Sequence, residues 1–135
     1  MPPDVGAEAR RWFVKASSDL RAAEVLLGAT PPFVEHALFH AQQAAEKAVK
    51  GFLVWHGRPF RKVHDLREVG GAALALDASL EPVLRRAARL SPFAGVFRYP
   101  TDMGEPTVEE ARDALALARE VYDVVLSRLP EEVRP

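Results

Sequence analysis

A chain of 135 residues, 48% hydrophobic and 27% charged, is one domain's worth of sequence with enough apolar material to fill a core. Its net charge of −1 argues against a generic polyanion binder, and the absence of cysteine excludes disulfides, a thiol nucleophile and cysteine metal sites. No apolar run approaches the roughly 20 residues of a membrane span, so no membrane association is expected. Met1-Pro2-Pro3-Asp4 has neither the basic nor the apolar part of a secretory leader, which makes the cytoplasm the expected location.

Helical periodicity predicts a first helix from about Asp4 to Leu27, with Trp12, Ala16, Leu20, Ala23 and Leu27 on one face. Asp19 stands beside that face, where an acid lies at the core's edge or pairs with a base from another helix. Gly28-Ala29-Thr30-Pro31-Pro32 stops the helix. A second helix is expected from Phe33 to His56, ended by Gly57 and Pro59. Asp65 is a plausible N-cap for a third region, which Gly70-Gly71 should interrupt. Asp77 or Ser79 can cap its second piece, through Leu80, Val83, Leu84, Ala87 and Leu90, and Ser91-Pro92-Phe93-Ala94-Gly95 should end it. The last helix opens on a capping box, Thr107-Val108-Glu109-Glu110, and runs to Leu129 before Pro130; the tail after Pro130 is expected to fray. The pattern predicts an all-α, up-and-down four-helix bundle with a split third helical region, a single domain over 1–135 with its core at about 4–129.

The second helix holds the most information. His36, His40, Gln43, Lys47 and Lys50 follow one line, Glu35, Gln42 and Glu46 a neighbouring one, and Ala37, Ala41, Ala44, Ala45, Ala48, Phe52 and Trp55 fill the opposite arc. Periodicity alone makes this an amphipathic helix with a solvated polar face, exposing Phe39 and Leu53 on it. Charge is uneven too. From Lys47 to Arg67 there are six Lys or Arg and one acid, Asp65; from Glu105 onward there are eight acids and four Arg. The two patches could meet across the two-fold axis of a homodimer built on the second and last helices.

Several chemistries lack their residues. His36-x-x-x-His40 has metal-ligand spacing but no third ligand at a matching interval, and the Glu-x-x-His of di-iron bundles is absent, so neither a metal nor a cofactor is expected. No serine sits in a Gly-x-Ser-x-Gly elbow, and there is no Walker A or Gly-x-Gly-x-x-Gly.

Four motifs in order carry a resemblance. Ser18-Asp19-Leu20-x-x-Ala23, Gln42-Gln43-Ala44-x-Glu46-Lys47-x-x-Lys50, His64-Asp65-Leu66 and Phe97-Arg98-Tyr99-Pro100 together resemble the HEPN family of small helical domains, over about Ala9 to Leu129. Nuclease members are similar in carrying Arg-x(4–6)-His near the start of the last helix. Here Arg98 is the matching arginine, and no histidine follows His64. The resemblance therefore implies a non-catalytic protein of the kind paired with a small nucleotidyltransferase in prokaryotic toxin–antitoxin-type modules. It would bind a nucleotide or nucleic acid through Gln43, Lys47, Lys50, His64, Asp65, Arg98 and Tyr99. Two readings compete: an RNase toxin using Arg58 and His64, which satisfy the spacing elsewhere, and a purely structural homo-oligomeric bundle. Each candidate also has a plain structural role open to it. His64 can bond a carbonyl, Asp65 can simply cap, and Arg98 can pair with Asp19 or Glu46.

Overall fold

The computed structural model describes residues 4–62, 64–98 and 105–135, with side chains for these except 95–98. Among the described residues there are five α-helices: α1 (Val5–Gly28), α2 (Val34–Trp55), α3 (Leu66–Leu76), α4 (Glu81–Ala87) and α5 (Val108–Ser127). Short 3-10 segments occupy Ala78–Leu80, Ala88–Arg98 and Glu131–Val133. There is no strand among the described residues, and none of the described helices is long and apolar enough to cross a membrane.

α2 is the central element. It packs on α1, α3, α5 and the 3-10 run Ala88–Arg98, so 14 of its 22 residues are buried. Its alanine arc does what small residues allow: Ala41, Ala44, Ala45 and Ala48 are wholly excluded from solvent. Surrounded on so many sides, α2 also buries Gln42, Gln43, Glu46 and Lys50. The expected solvated face is thus largely interior, Leu53 is fully buried instead of exposed, and Phe39 is half-buried.

The third region splits, but not at its glycines. α3 continues through Gly70 and Gly71, because burial of Leu66, Val69 and Ala73 outweighs a propensity cost of about 1 kcal/mol per glycine. The break falls at Asp77, whose extended backbone leaves the helix and whose carboxylate accepts from the backbone N–H (2.9 Å) and hydroxyl (2.6 Å) of Ser79. Nor does Ser91–Gly95 end the next piece. The chain tightens into the 3-10 segment Ala88–Arg98 with Pro92 inside it, anchored by the buried Leu90. Proline suits such a turn, since its fixed φ is compatible and only one donor is lost.

The capping box of α5 forms as expected. Glu110 N–H donates to Thr107 Oγ1 and Thr107 N–H to Glu110 Oε1, both at 3.1 Å. The tail after Pro130 is docked and not frayed: Val133 is fully buried, and Arg10 Nε donates to the Arg134 carbonyl at 3.2 Å.

Candidate functional site

Two buried carboxylates, Asp19 of α1 and Glu46 of α2, each hold one histidine and one lysine. Asp19 of α1, next to Leu20 on the core face, accepts from Lys47 Nζ at 2.6 Å and pairs with His40 Nδ1 at 2.8 Å. Lys47, a sequence candidate for ligand binding, is thereby tied to α1. Asp19 takes the second of the two roles open to an acid at that edge, pairing across helices.

Glu46 is the second centre, and its side chain is only 1% exposed. Oε1 accepts from Lys50 Nζ (2.7 Å) and meets His64 Nδ1 (3.1 Å); Oε2 accepts from Gln42 Nε2 (3.1 Å) and Gln43 Nε2 (3.3 Å). Gln43 also donates to Gln42 Oε1 at 2.6 Å. Amide at i−4 and i−3 and amine at i+4 place three of these four groups one helical turn from the carboxylate. Every neighbour other than His64 can only donate at that distance, so the carboxylate is a satisfied ionised acceptor. The Lys50 ammonium also lies 5.7 Å from the Trp12 ring and 5.4 Å from the Phe60 ring, which meet edge-on at 5.8 Å. Phe60 belongs to the connector between α2 and α3, so this box pins the connector onto α1 and α2.

The connector carries the site outward. His64 is 67% exposed while its Nδ1 stays on Glu46. Asp65 caps α3, accepting from the backbone N–H groups of Arg67 (3.0 Å) and Glu68 (3.3 Å). Arg61 is bound by Glu68, whose hydrogen bond and charge raise its already high pKa. Beyond the imidazole lies a shallow cleft of about 450 Å³, lined by His64, Asp65, Leu66, Arg67, Ser91 and Pro92. Ser91 Oγ is buried in its wall with no hydrogen-bond partner among the described residues.

Of the sequence candidates, Gln43, Lys50 and His64 converge on Glu46, Asp65 adjoins them, and Lys47 sits apart on Asp19. The Arg98 side chain and Tyr99 lie outside the described residues. The hub itself, Glu46, was not among the sequence candidates, although its Gln42, Gln43 and Lys50 neighbours at one-turn spacing signalled it. Arg67 and Ser91 carried no comparable signal, since only the fold brings the start of α3 to the 3-10 run. Among the described residues, no group of three or more His, Asp or Glu could hold a metal ion.

Comparison with known proteins agrees with this architecture. Residues 9–129 match the family model described as HEPN domain. The chain is similar to a protein from Thermus thermophilus of known crystal structure, with 32% identity and a TM-score of 0.76, covering 90% of this chain and 98% of that one. It is also similar to a crystal structure described as an archaeal HEPN homologue, with 27% identity and a TM-score of 0.70, covering 89% and 96%. No curated protein matches.

Proposed function

The chain belongs to the HEPN domain family, and from that premise we propose that it is a non-catalytic binding subunit for nucleotides or single-stranded nucleic acid. In this reading it works in the cytoplasm as a two-fold homodimer and presents its ligand to a small nucleotidyltransferase in a toxin–antitoxin-type module. One observation carries the ligand class. Arg58, Lys62 and Arg67 are exposed on the connector and the start of α3, with no ion-pair partner among the described residues. Arg58 and Lys62 flank the half-buried Phe60 in the chain, Phe60 meets Trp12 edge-on, and Lys15 stands exposed one turn further along α1. Free cations around aromatic edges suit a phosphate backbone with unstacked bases. Glu68 is committed to Arg61, and Asp65, the cap of α3, offsets one of these three charges, so the group stays net positive.

The test is binding of a single-stranded oligonucleotide, followed by anisotropy over a range of salt. Affinity should fall with salt. The slope of log K against log salt should flatten by about 1.4 in the double variant Arg58→Glu, Lys62→Glu, because two phosphates are no longer neutralised. Binding that ignores salt, or ignores this double substitution, overturns the reading. Co-purification with a co-expressed small nucleotidyltransferase tests the partner, and light scattering tests the dimer.

A further inference from the structure

The cleft beside His64 has a chemistry of its own. Glu46 is saturated by donors and buried, so it is ionised and can only accept. His64 must therefore donate from Nδ1, which fixes its tautomer. In the neutral ring Nε2 is then a bare acceptor, and only the imidazolium offers an N–H there. Nε2 has no partner among the described residues, and the ring is exposed at the cleft. Among the described residues Arg67 adds a guanidinium with no ion-pair partner, and the buried Ser91 hydroxyl has no hydrogen-bond partner. A buried hydroxyl without a partner is uncommon and marks a place where an acceptor belongs.

The charges around the ring decide when the cleft attracts an anion. Behind it, on α2, Glu46 and Lys50 offset one another while Gln42 and Gln43 are neutral. On α3, Arg67 opposes Asp65, and the 3-10 run contributes the neutral Ser91. With His64 neutral these described groups carry no net charge. With His64 protonated the cleft gains one positive charge and a second strong donor.

We infer that this cleft is a binding site for a phosphate monoester, gripped by the His64 imidazolium and the Arg67 guanidinium, with Glu46 as the positioning residue and binding coupled to uptake of one proton. The inference rests on the binding reading above and deepens it: the connector cations would track a chain of phosphodiesters, while this cleft takes a terminal phosphate. A nucleoside monophosphate and the phosphorylated end of a nucleic acid share that chemistry.

Calorimetric titration of the full chain tests it with three probes: sulfate, a nucleoside 5′-monophosphate and the matching nucleoside. Sulfate keeps its charge over the pH range used, so any proton taken up on binding belongs to the protein. Both anions should bind one per chain, more tightly at about pH 6 than at about pH 8, and the nucleoside should not. Buffers of different ionisation enthalpy should report proton uptake with sulfate. His64→Gln and Arg67→Gln, both at exposed positions, should each weaken binding about tenfold, and His64→Gln should also remove the proton uptake. Glu46→Gln should diminish the pH dependence; where that variant unfolds, the two exposed variants still decide the matter. Unchanged anion binding in His64→Gln overturns the inference, as does no anion binding by the unmodified chain. A phosphomonoester-capped and an uncapped oligonucleotide then tell the sources apart. Salt-dependent oligonucleotide binding without any anion in the cleft refutes this site and leaves the broader function standing. Anion binding without oligonucleotide binding does the reverse.

Discussion

Gly51 of α2 lies so close to Phe13 of α1 that a Cβ there would stand 2.7 Å from ring carbon Cε2. Phe13 is fully buried and also meets Tyr122 of α5 edge-on at 5.9 Å, so the ring has little room to yield. Overpacking of this kind costs about 1–3 kcal/mol, against a helix-propensity gain of about 1 kcal/mol for leaving glycine. Gly51→Ala is therefore expected to be net destabilising, by up to about 2 kcal/mol in urea unfolding. Ala48→Leu, at another wholly buried position of α2, should cost about 1–3 kcal/mol. A neutral result in both would show that α1 and α2 are not packed this tightly.

Gly71 in α3 should respond with the opposite sign. A Cβ there meets nothing within 4 Å, and the residue is helical without positive φ. Gly71→Ala should stabilise the protein by about 0.5–1 kcal/mol, through helix propensity and a less flexible unfolded chain. Loss of stability on this substitution would mean that α3 is not helical at its glycines.

The Lys50–Glu46 pair is buried on both sides, with side chains 7% and 1% exposed. Lys50→Met strands the carboxylate beside two amides and His64, and should cost about 3–5 kcal/mol. Adding Glu46→Gln removes the stranded charge, so the double variant should recover part of that loss. The double-mutant cycle measures the coupling; strictly additive losses would disprove it.

Asp77 gives an acid-range signature. The Ser79 hydroxyl and backbone N–H, in that order, hold its pKa below the ordinary carboxylate value. A depressed folded pKa contributes stability that is present above the unfolded pKa and lost as pH falls through the folded one. For aspartate that loss begins below about pH 4. Asp77→Asn keeps a cap-forming side chain but does not titrate, so its melting temperature should fall less steeply below that pH than that of the unmodified chain. Parallel curves would exclude Asp77 as a contributor.

No specific RNA cleavage is expected from the purified protein, because no histidine follows Arg98 in the chain. The check is incubation with structured and single-stranded RNA, read on a denaturing gel. Cleavage that vanishes in His64→Ala would restore the ribonuclease reading built on Arg58 and His64.

Local chemistry was legible from residue order alone. Caps at Asp65 and Thr107, stops after α1 and α2, and the alanine arc of α2 all depend on neighbours within one or two turns, and the order of four short motifs carried the family. Burial was not legible in the same way. A polar stripe such as Gln42, Gln43, Glu46 and Lys50 reads as solvated when only its own helix is considered. It becomes interior because α1, α3, α5 and the 3-10 run close around α2. The glycine pair fails to break α3 for a related reason: propensity is a small local term, and the buried Leu66, Val69 and Ala73 override it. Sequence by itself determined the helical character, the ends of the first two helices, the caps at Asp65 and Thr107 and the residue types available for chemistry. Only the tertiary structure decided that Glu46 holds His64 at a cleft it shares with Arg67 and Ser91, because Glu46, the His64–Arg67 segment and Ser91 are separated in the chain and meet through packing.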